Sequence, residues 1–205
     1  MITKPNNWEN VRAFSDSRKL PAGAYVCTIR QAAVKQTDYG SQLCILFDIA
    51  DGEWAGHYSD DFANNPRDDK KWKGILRQFL PKNDGSDKDE WTKSMLKGLV
   101  TVVEESNRGY TWDWDERSLA GKDIGILMRN EEWEYNGKTG WTARPFRAIS
   151  VDSVADGSYT LPKDKPLKNK AADVYGGSSA PDFGGYGAAP ASDFTMLGDD
   201  EQLPF

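Results

Sequence analysis

Three groups of residues in this chain have the types and spacing to do chemistry. The single histidine, His57, stands beside Tyr58 and Asp60-Asp61, with Asp48 and Glu53 close in sequence. Paired carboxylates of this kind can hold Mg²⁺ and direct phosphodiester hydrolysis. No spacing fixes their geometry, however, and acids flanking a strand are ordinarily solvated, so a metal-dependent nuclease is the weakest of the readings. Gly137-Lys138-Thr139 imitates the end of a phosphate-binding loop, but Glu132 stands where that loop must begin with Gly, and a hairpin rather than a helix follows. Cys27 and Cys44, with one His, lack the paired spacing of a closed zinc site. The sequence therefore predicts no metal, no cofactor and no enzyme.

The second group is aromatic. All eight Trp lie before position 171, and several stand beside cations. Trp54 and Tyr58 fall in one run, Trp133 and Tyr135 precede an Asn136-Gly137 turn, and Lys138, Trp141, Arg144, Phe146 and Arg147 follow it. An indole or phenol face stacks on an unpaired base, at ~1–3 kcal/mol per base, while Arg and Lys follow the phosphates. These nine residues are the candidate nucleic-acid contacts. Aromatics in strands also serve as core or cross-strand packing, and Trp72, Phe79 and Trp91, on helical apolar stripes, read as core.

The third group closes the chain: Asp199, Asp200, Glu201, Gln202, Leu203, Pro204 and Phe205. Phe205 can fill an apolar pocket while its α-carboxylate and the acids upstream meet Lys or Arg at the rim. A merely solubilising tail has no use for an exposed Leu-Pro-Phe. The charge distribution sets this end apart. All 26 Lys and Arg lie at or before Lys170, balanced there by 26 acidic residues, so the net charge of −6 belongs to Asp173, Asp182, Asp193, Asp199, Asp200 and Glu201. Residues 171–198, rich in Gly, Ala, Ser, Pro and Asp, bury too little apolar surface to offset the entropy of ordering. They read as a disordered tether, and the 35 residues after Lys170 give a flexible-chain reach of roughly 30–35 Å.

These groups must be positioned by a body of about 170 residues, long enough to fold without a disulfide or metal. Ala24 to Lys35 is β-prone, and Leu43 to Ile49 alternates with Leu43, Ile45, Phe47 and Ile49 on one face. Tyr39-Gly40-Ser41 supplies a turn between them. Trp54 to Phe62 reads as a third strand, completing a meander. Trp72, Ile75, Leu76, Phe79 and Leu80 then recur at helical spacing after Asp68-Asp69 and before Pro81. A second helix is expected after Asp87, with Trp91, Met95, Leu99 and Val102 on its stripe, although Gly98 weakens it. Asp123 to Tyr135 and Trp141 to Val151 read as strands joined through Asn136-Gly137, where both central residues tolerate φ > 0.

The predicted fold is mainly β with a helical insertion: a five-stranded barrel like the OB-fold, followed by a disordered acidic tail. Another small barrel or an α+β sheet shares the same element order. The domains are expected at 1–22 (N-terminal extension), 23–170 (barrel), 171–198 (linker) and 199–205 (partner-binding peptide). Cys27 and Cys44 read as small buried apolar groups. The N-terminus lacks an apolar signal region and no run approaches a membrane span, so the expectation is a soluble protein of the cytoplasm.

Taken together, the element order, the tether and an end reading Asp-Asp-Glu-Gln-Leu-Pro-Phe resemble bacterial and bacteriophage single-stranded DNA-binding proteins, whose ends carry several Asp, one or two apolar residues, then Pro-Phe. The match in the tail is positional. The body carries no diagnostic motif of the cellular proteins and its helical insertion looks longer, so the chain looks more like a divergent phage-type member, which would place it in a bacterial host cytoplasm. The resemblance implies coating of exposed strands in DNA replication, recombination and repair, with replication, recombination or repair proteins recruited through Asp199, Asp200, Glu201, Leu203, Pro204 and Phe205. It leaves a homo-oligomer open. The alternative is an adaptor that binds only proteins through its tail.

Overall fold

The computed structural model describes residues 3–6, 8 and 19–167. The tether (171–198), the terminal peptide (199–205) and most of the N-terminal extension lie outside the described residues. The described chain is mainly β. Its strands are β1 (Gly23–Thr37), β2 (Gly40–Ile49), β3 (Ile75–Phe79), β4 (Asp123–Tyr135) and β5 (Lys138–Ile149), and its helices are α1 (His57–Asn64), α2 (Asp87–Ser106) and α3 (Val151–Asp156). The strands form one antiparallel sheet in the order β3-β2-β1-β4-β5. Among the described residues the edge strands β3 and β5 are not hydrogen-bonded, so the sheet does not close, although parts of them come within 8 Å between Cα atoms.

β1 serves two partners. Its first half pairs with β4, Cys27 opposite Ile124, and its second half with β2, Ala32 opposite Ile45. A bulge at Arg30, between Ile29 and Gln31, shifts the register within the β1–β2 ladder, which begins at Cys27 opposite Ile49, and sharpens the local twist, as bulges do. Alternation then sends Cys27, Ile29 and Ala32 of β1, Leu43, Ile45, Phe47 and Ile49 of β2, and Ile124, Ile126 and Met128 of β4 into a single core. Both cysteines are buried, and burial pushes the Cys27 and Cys44 thiols up from their ordinary values.

The structure corrects two expected elements, and one cause explains both. The run from Trp54 to Phe62 is not a strand: Gly56 turns the chain at φ 74° and α1 begins at His57. The buried carboxylate of Asp48, at the end of β2, accepts hydrogen bonds from Tyr58 N (2.9 Å), Ser59 N (3.2 Å) and the Ser59 hydroxyl. It satisfies donors that a helix start leaves open, at a point where the local sequence carries a strand-like pattern. The edge of β2 is then left for a later segment. Ile75–Phe79 takes it, Leu46 opposite Ile75 and Gln42 opposite Phe79, so the helix expected from Trp72 to Leu80 is a strand. A buried strand edge must find backbone partners, and that requirement outweighs a helical spacing of side chains. Gly74 permits the approach: a Cβ there would lie 2.5 Å from Phe47 O and 2.6 Å from the Tyr58 ring. Asp68 and Asp69 cap no helix; Asp69 pairs with Arg67 at 3.0 Å.

α2 is present but rotated by about one residue from the expected stripe. Ser86 caps it by accepting from Asp89 N (3.2 Å), and Thr92, Leu96, Leu99 and Val103 are buried, whereas Trp91 and Met95 are exposed. Trp91 is therefore not a core residue. Trp72 does pack against the core and donates its indole N–H to Phe47 O (3.1 Å), while Phe79 is half-buried on the edge strand. The β4–β5 hairpin turns at Asn136-Gly137 with φ 49° and 72°, β5 starts three residues earlier than expected, and Val151 opens α3.

Candidate nucleic-acid interface

Beyond Met128 the β4–β5 hairpin leaves β1 behind and projects as a two-stranded arm. Its register sorts the candidate residues. Met128 points into the core, so alternation puts Arg129, Glu131, Trp133 and Tyr135 on the other face, opposite Arg144, Thr142, Gly140 and Lys138 respectively. Phe146 occupies the bulge of β5, and the Arg129 guanidinium lies over its ring at 4.5 Å. Arg147, opposite Leu127, belongs to the same side. The Trp133 ring lies over Gly140, where a Cβ would approach it to 2.6 Å, so glycine is what lets the indole lie flat across the hairpin. Tyr135 is 70% exposed, and Trp141 and Phe146 are 40% exposed.

Not all nine candidates share this face. Trp141 stands opposite Glu132 on the reverse side of the arm. Tyr58 is removed altogether: it lies in α1, buried, with its ring edge-on to Phe47 at 5.4 Å. Trp54 is half-buried against the core and edge-on to His57 at 5.6 Å. Trp133, Tyr135, Lys138, Arg144, Phe146 and Arg147 are brought together. Of the hydrolytic candidates, Asp48 is consumed by the start of α1 and Asp61 pairs with Lys73 (3.0 Å), and among the described residues no three metal-ligating side chains are grouped to hold a metal ion.

Arg129 is the residue that sequence reasoning missed. It faces Arg144 directly across the hairpin, and like charges directly opposite are destabilising. Part of the cost is offset by Glu131, whose Oε1 accepts from Arg129 Nη2 at 2.5 Å, and by the Phe146 ring. Burial would raise the Glu131 carboxyl, but the Arg129 guanidinium and the Lys165 ammonium (3.5 Å) outweigh it and hold the group below its ordinary value. Among the buried side-chain polar atoms of the described residues, Arg129 Nε alone lacks a hydrogen-bond partner. The face thus presents Arg129, Lys138, Arg144 and Arg147 against Glu131, beside flat aromatic surface. Alternation along β4 could have revealed Arg129 on the side of Trp133, but only the cross-strand register shows it opposite Arg144.

The arm has a free edge where β1 ends, and the chain leaving α3 covers it. Lys165 N donates to Asn130 O (2.9 Å), Glu132 N to Lys165 O (2.9 Å), and Leu167 N to Glu132 Oε2 (3.2 Å). The last described residues before the expected tether therefore lie along the same arm. No protein-family model matches the chain, nor does any curated protein sequence. No helix of the described residues is long and apolar enough to cross a membrane.

Proposed function

We propose that the chain belongs to the class of nucleic-acid-binding β domains, with the β4–β5 arm as its contact surface. Within that class we read it as a single-stranded DNA-binding protein that coats exposed strands during replication, recombination and repair. The observation that carries the reading is the Arg129–Arg144 pair facing each other across the hairpin beside Phe146, Trp133 and Tyr135. Such a pair is a liability for folding alone and an asset for a polyanion, whose phosphates screen the repulsion while bases stack on the rings. Duplex DNA hides its base faces, so a stacking surface favours an unpaired strand.

An OB-like topology is part of the proposal. The order β3-β2-β1-β4-β5, with β3 and β5 both antiparallel to their neighbours and near each other, is the arrangement that closure between the two edges would turn into such a barrel. The terminal peptide Asp199–Phe205, by its sequence, is the partner-recruiting element of the scheme, and the tether gives it reach.

The test is tryptophan fluorescence of the full chain titrated with oligo-dT and with a matching duplex at two salt concentrations. Quenching by the single strand, weakened by salt and much smaller with duplex, supports the reading. Equal indifference to both nucleic acids overturns it in favour of an adaptor that binds only proteins. Removal of 199–205 should leave oligo-dT binding intact while abolishing capture of tail-dependent partners.

A further inference from the structure

A second aromatic surface lies away from the arm, in the loop between α2 and a short 3₁₀ turn at Glu116–Leu119. Trp114 is 70% exposed, the same exposure as Tyr135 at the hairpin tip. It is not a fraying side chain. Its backbone sits at φ 67°, a region that bulky residues rarely enter and keep only where their surroundings impose it. Those surroundings are specified in detail. Asp113 Oδ1 accepts from Asp115 N (3.1 Å) and from the Ser118 hydroxyl (2.7 Å), and the Asp115 carboxylate takes the Arg117 backbone N–H (3.0 Å) and its guanidinium (2.7 Å). Trp112 supports the apex from behind: its indole N–H donates to Asp115 O (2.9 Å), its backbone N–H donates to Glu104 (3.0 Å), and its ring lies 4.9 Å from that of Trp114 with 32° between planes.

One face of the Trp114 indole is thus backed by Trp112, and the side chain is otherwise held out to solvent. The local charge says what would cover it. Glu104, Glu105, Asp113, Asp115 and Glu116 outnumber Arg108, Arg117 and Lys122; Arg117 is committed to Asp115, and Lys122 lies over the Tyr110 ring at 4.4 Å. The hydrogen bonds from Ser118 and Asp115 N hold the Asp113 carboxyl below its ordinary value, so it is charged at neutral pH. A phosphate backbone is repelled here. A guanidinium or ammonium is attracted twice, by the ring face and by the carboxylates around it.

We infer that Trp112 and Trp114 form a docking site for an arginine- or lysine-bearing segment of a partner protein, with Trp114 as the anchor. Exposed, rigidly held Trp is the residue type that dominates binding energy at protein interfaces. The loop is tied to the start of β4, where Asn107 and Asp123 exchange two hydrogen bonds (2.8 and 2.9 Å), whereas Tyr135 stands at that strand's far end. A strand on the arm and a protein on the loop can therefore be held together. The inference does not depend on the DNA reading.

The test uses the full chain labelled with 5-fluorotryptophan, whose ¹⁹F signals from Trp112 and Trp114 are assigned with Trp112→Phe and Trp114→Phe. The probes are acetyl-Ala-Arg-Ala-Arg-Ala-amide, the same peptide with Glu for Arg, and oligo-dT. The expected result is a saturable shift of the Trp114 signal with the Arg peptide alone, weakened by salt and weakened roughly two- to fivefold by Glu116→Gln or Trp114→Leu, the latter read through Trp112. A Trp114 signal unmoved by the Arg peptide overturns the site. A Trp114 signal moved by oligo-dT also overturns it, making the loop a second base-stacking surface.

Discussion

Arg144→Gln separates a binding residue from a structural one, because the two roles predict opposite effects on stability. Four cations, Arg129, Lys138, Arg144 and Arg147, share the aromatic face of the arm. If each meets one phosphate, affinity for a single strand falls with salt at a log–log slope of about −2.8, from roughly 0.7 per contact. Raising salt from about 50 to about 200 mM then weakens binding roughly 50-fold. With Arg144 replaced, the slope becomes about −2.1 and the loss over the same range roughly 20-fold. The same substitution removes the like charge opposite Arg129, relieving on the order of 0.2–1 kcal/mol of cross-strand repulsion. The variant should therefore bind less tightly, with a shallower salt slope by fluorescence titration, and should unfold at the same or slightly higher urea concentration. An unchanged salt slope together with a lower urea midpoint would refute the phosphate role and make Arg144 a packing residue.

Three further outcomes follow from the fold. Gly74→Ala drives a methyl to within 2.6 Å of the Tyr58 ring and 2.5 Å of Phe47 O, so the urea midpoint should fall by the equivalent of ~1–3 kcal/mol; an unchanged midpoint would mean that β3 does not sit against β2 as described. Asp48→Asn keeps the shape but loses the charge that accepts from Tyr58 N, Ser59 N and Ser59 Oγ, and should cost about 1.5–3 kcal/mol by urea denaturation while loosening amide protection at the start of α1. Burial holds the His57 pKa below its ordinary value against the pull of Asp61, Asp48 and Asp60, with Lys73 acting in the same direction as burial. The unfolded chain then takes up a proton near pH 6.5 that the folded chain resists, so this contribution to stability is full above about pH 6.5 and declines as pH falls below it toward the lower folded-state value; His57→Gln should flatten that decline, measured as the urea midpoint at each pH.

Where periodicity and turn chemistry agreed, the sequence was a sufficient guide. Leu43 to Ile49 alternates because β2 offers one face to the core, and Asn136-Gly137 turns the hairpin because its φ values are positive. It failed where a segment's fate depended on a distant partner. Ile75 to Phe79 has helical spacing but became a strand because the edge of β2 was open, and Trp54 to Phe62 has strand character but became α1 because Asp48, ten residues before Tyr58, holds the helix start. The α2 stripe was misphased for a related reason: Trp91 is as apolar as Leu96, and only the surface beneath the helix decides which is covered.

The same division holds for the candidate site. The sequence alone determined that the body is neutral, that the net charge of −6 resides after Lys170 and that Asp199–Phe205 ends in Leu-Pro-Phe, since these are properties of residue order and need no partner. It also determined that aromatics and cations cluster around Asn136-Gly137. Only the tertiary structure decided that Tyr58 is core, that Trp141 lies on the reverse face, that Arg129 confronts Arg144 and that Trp114 is held out to solvent. Each of those outcomes is a matter of which side chain meets which across a strand pair or a loop, and that is set by register and packing between segments far apart in the chain.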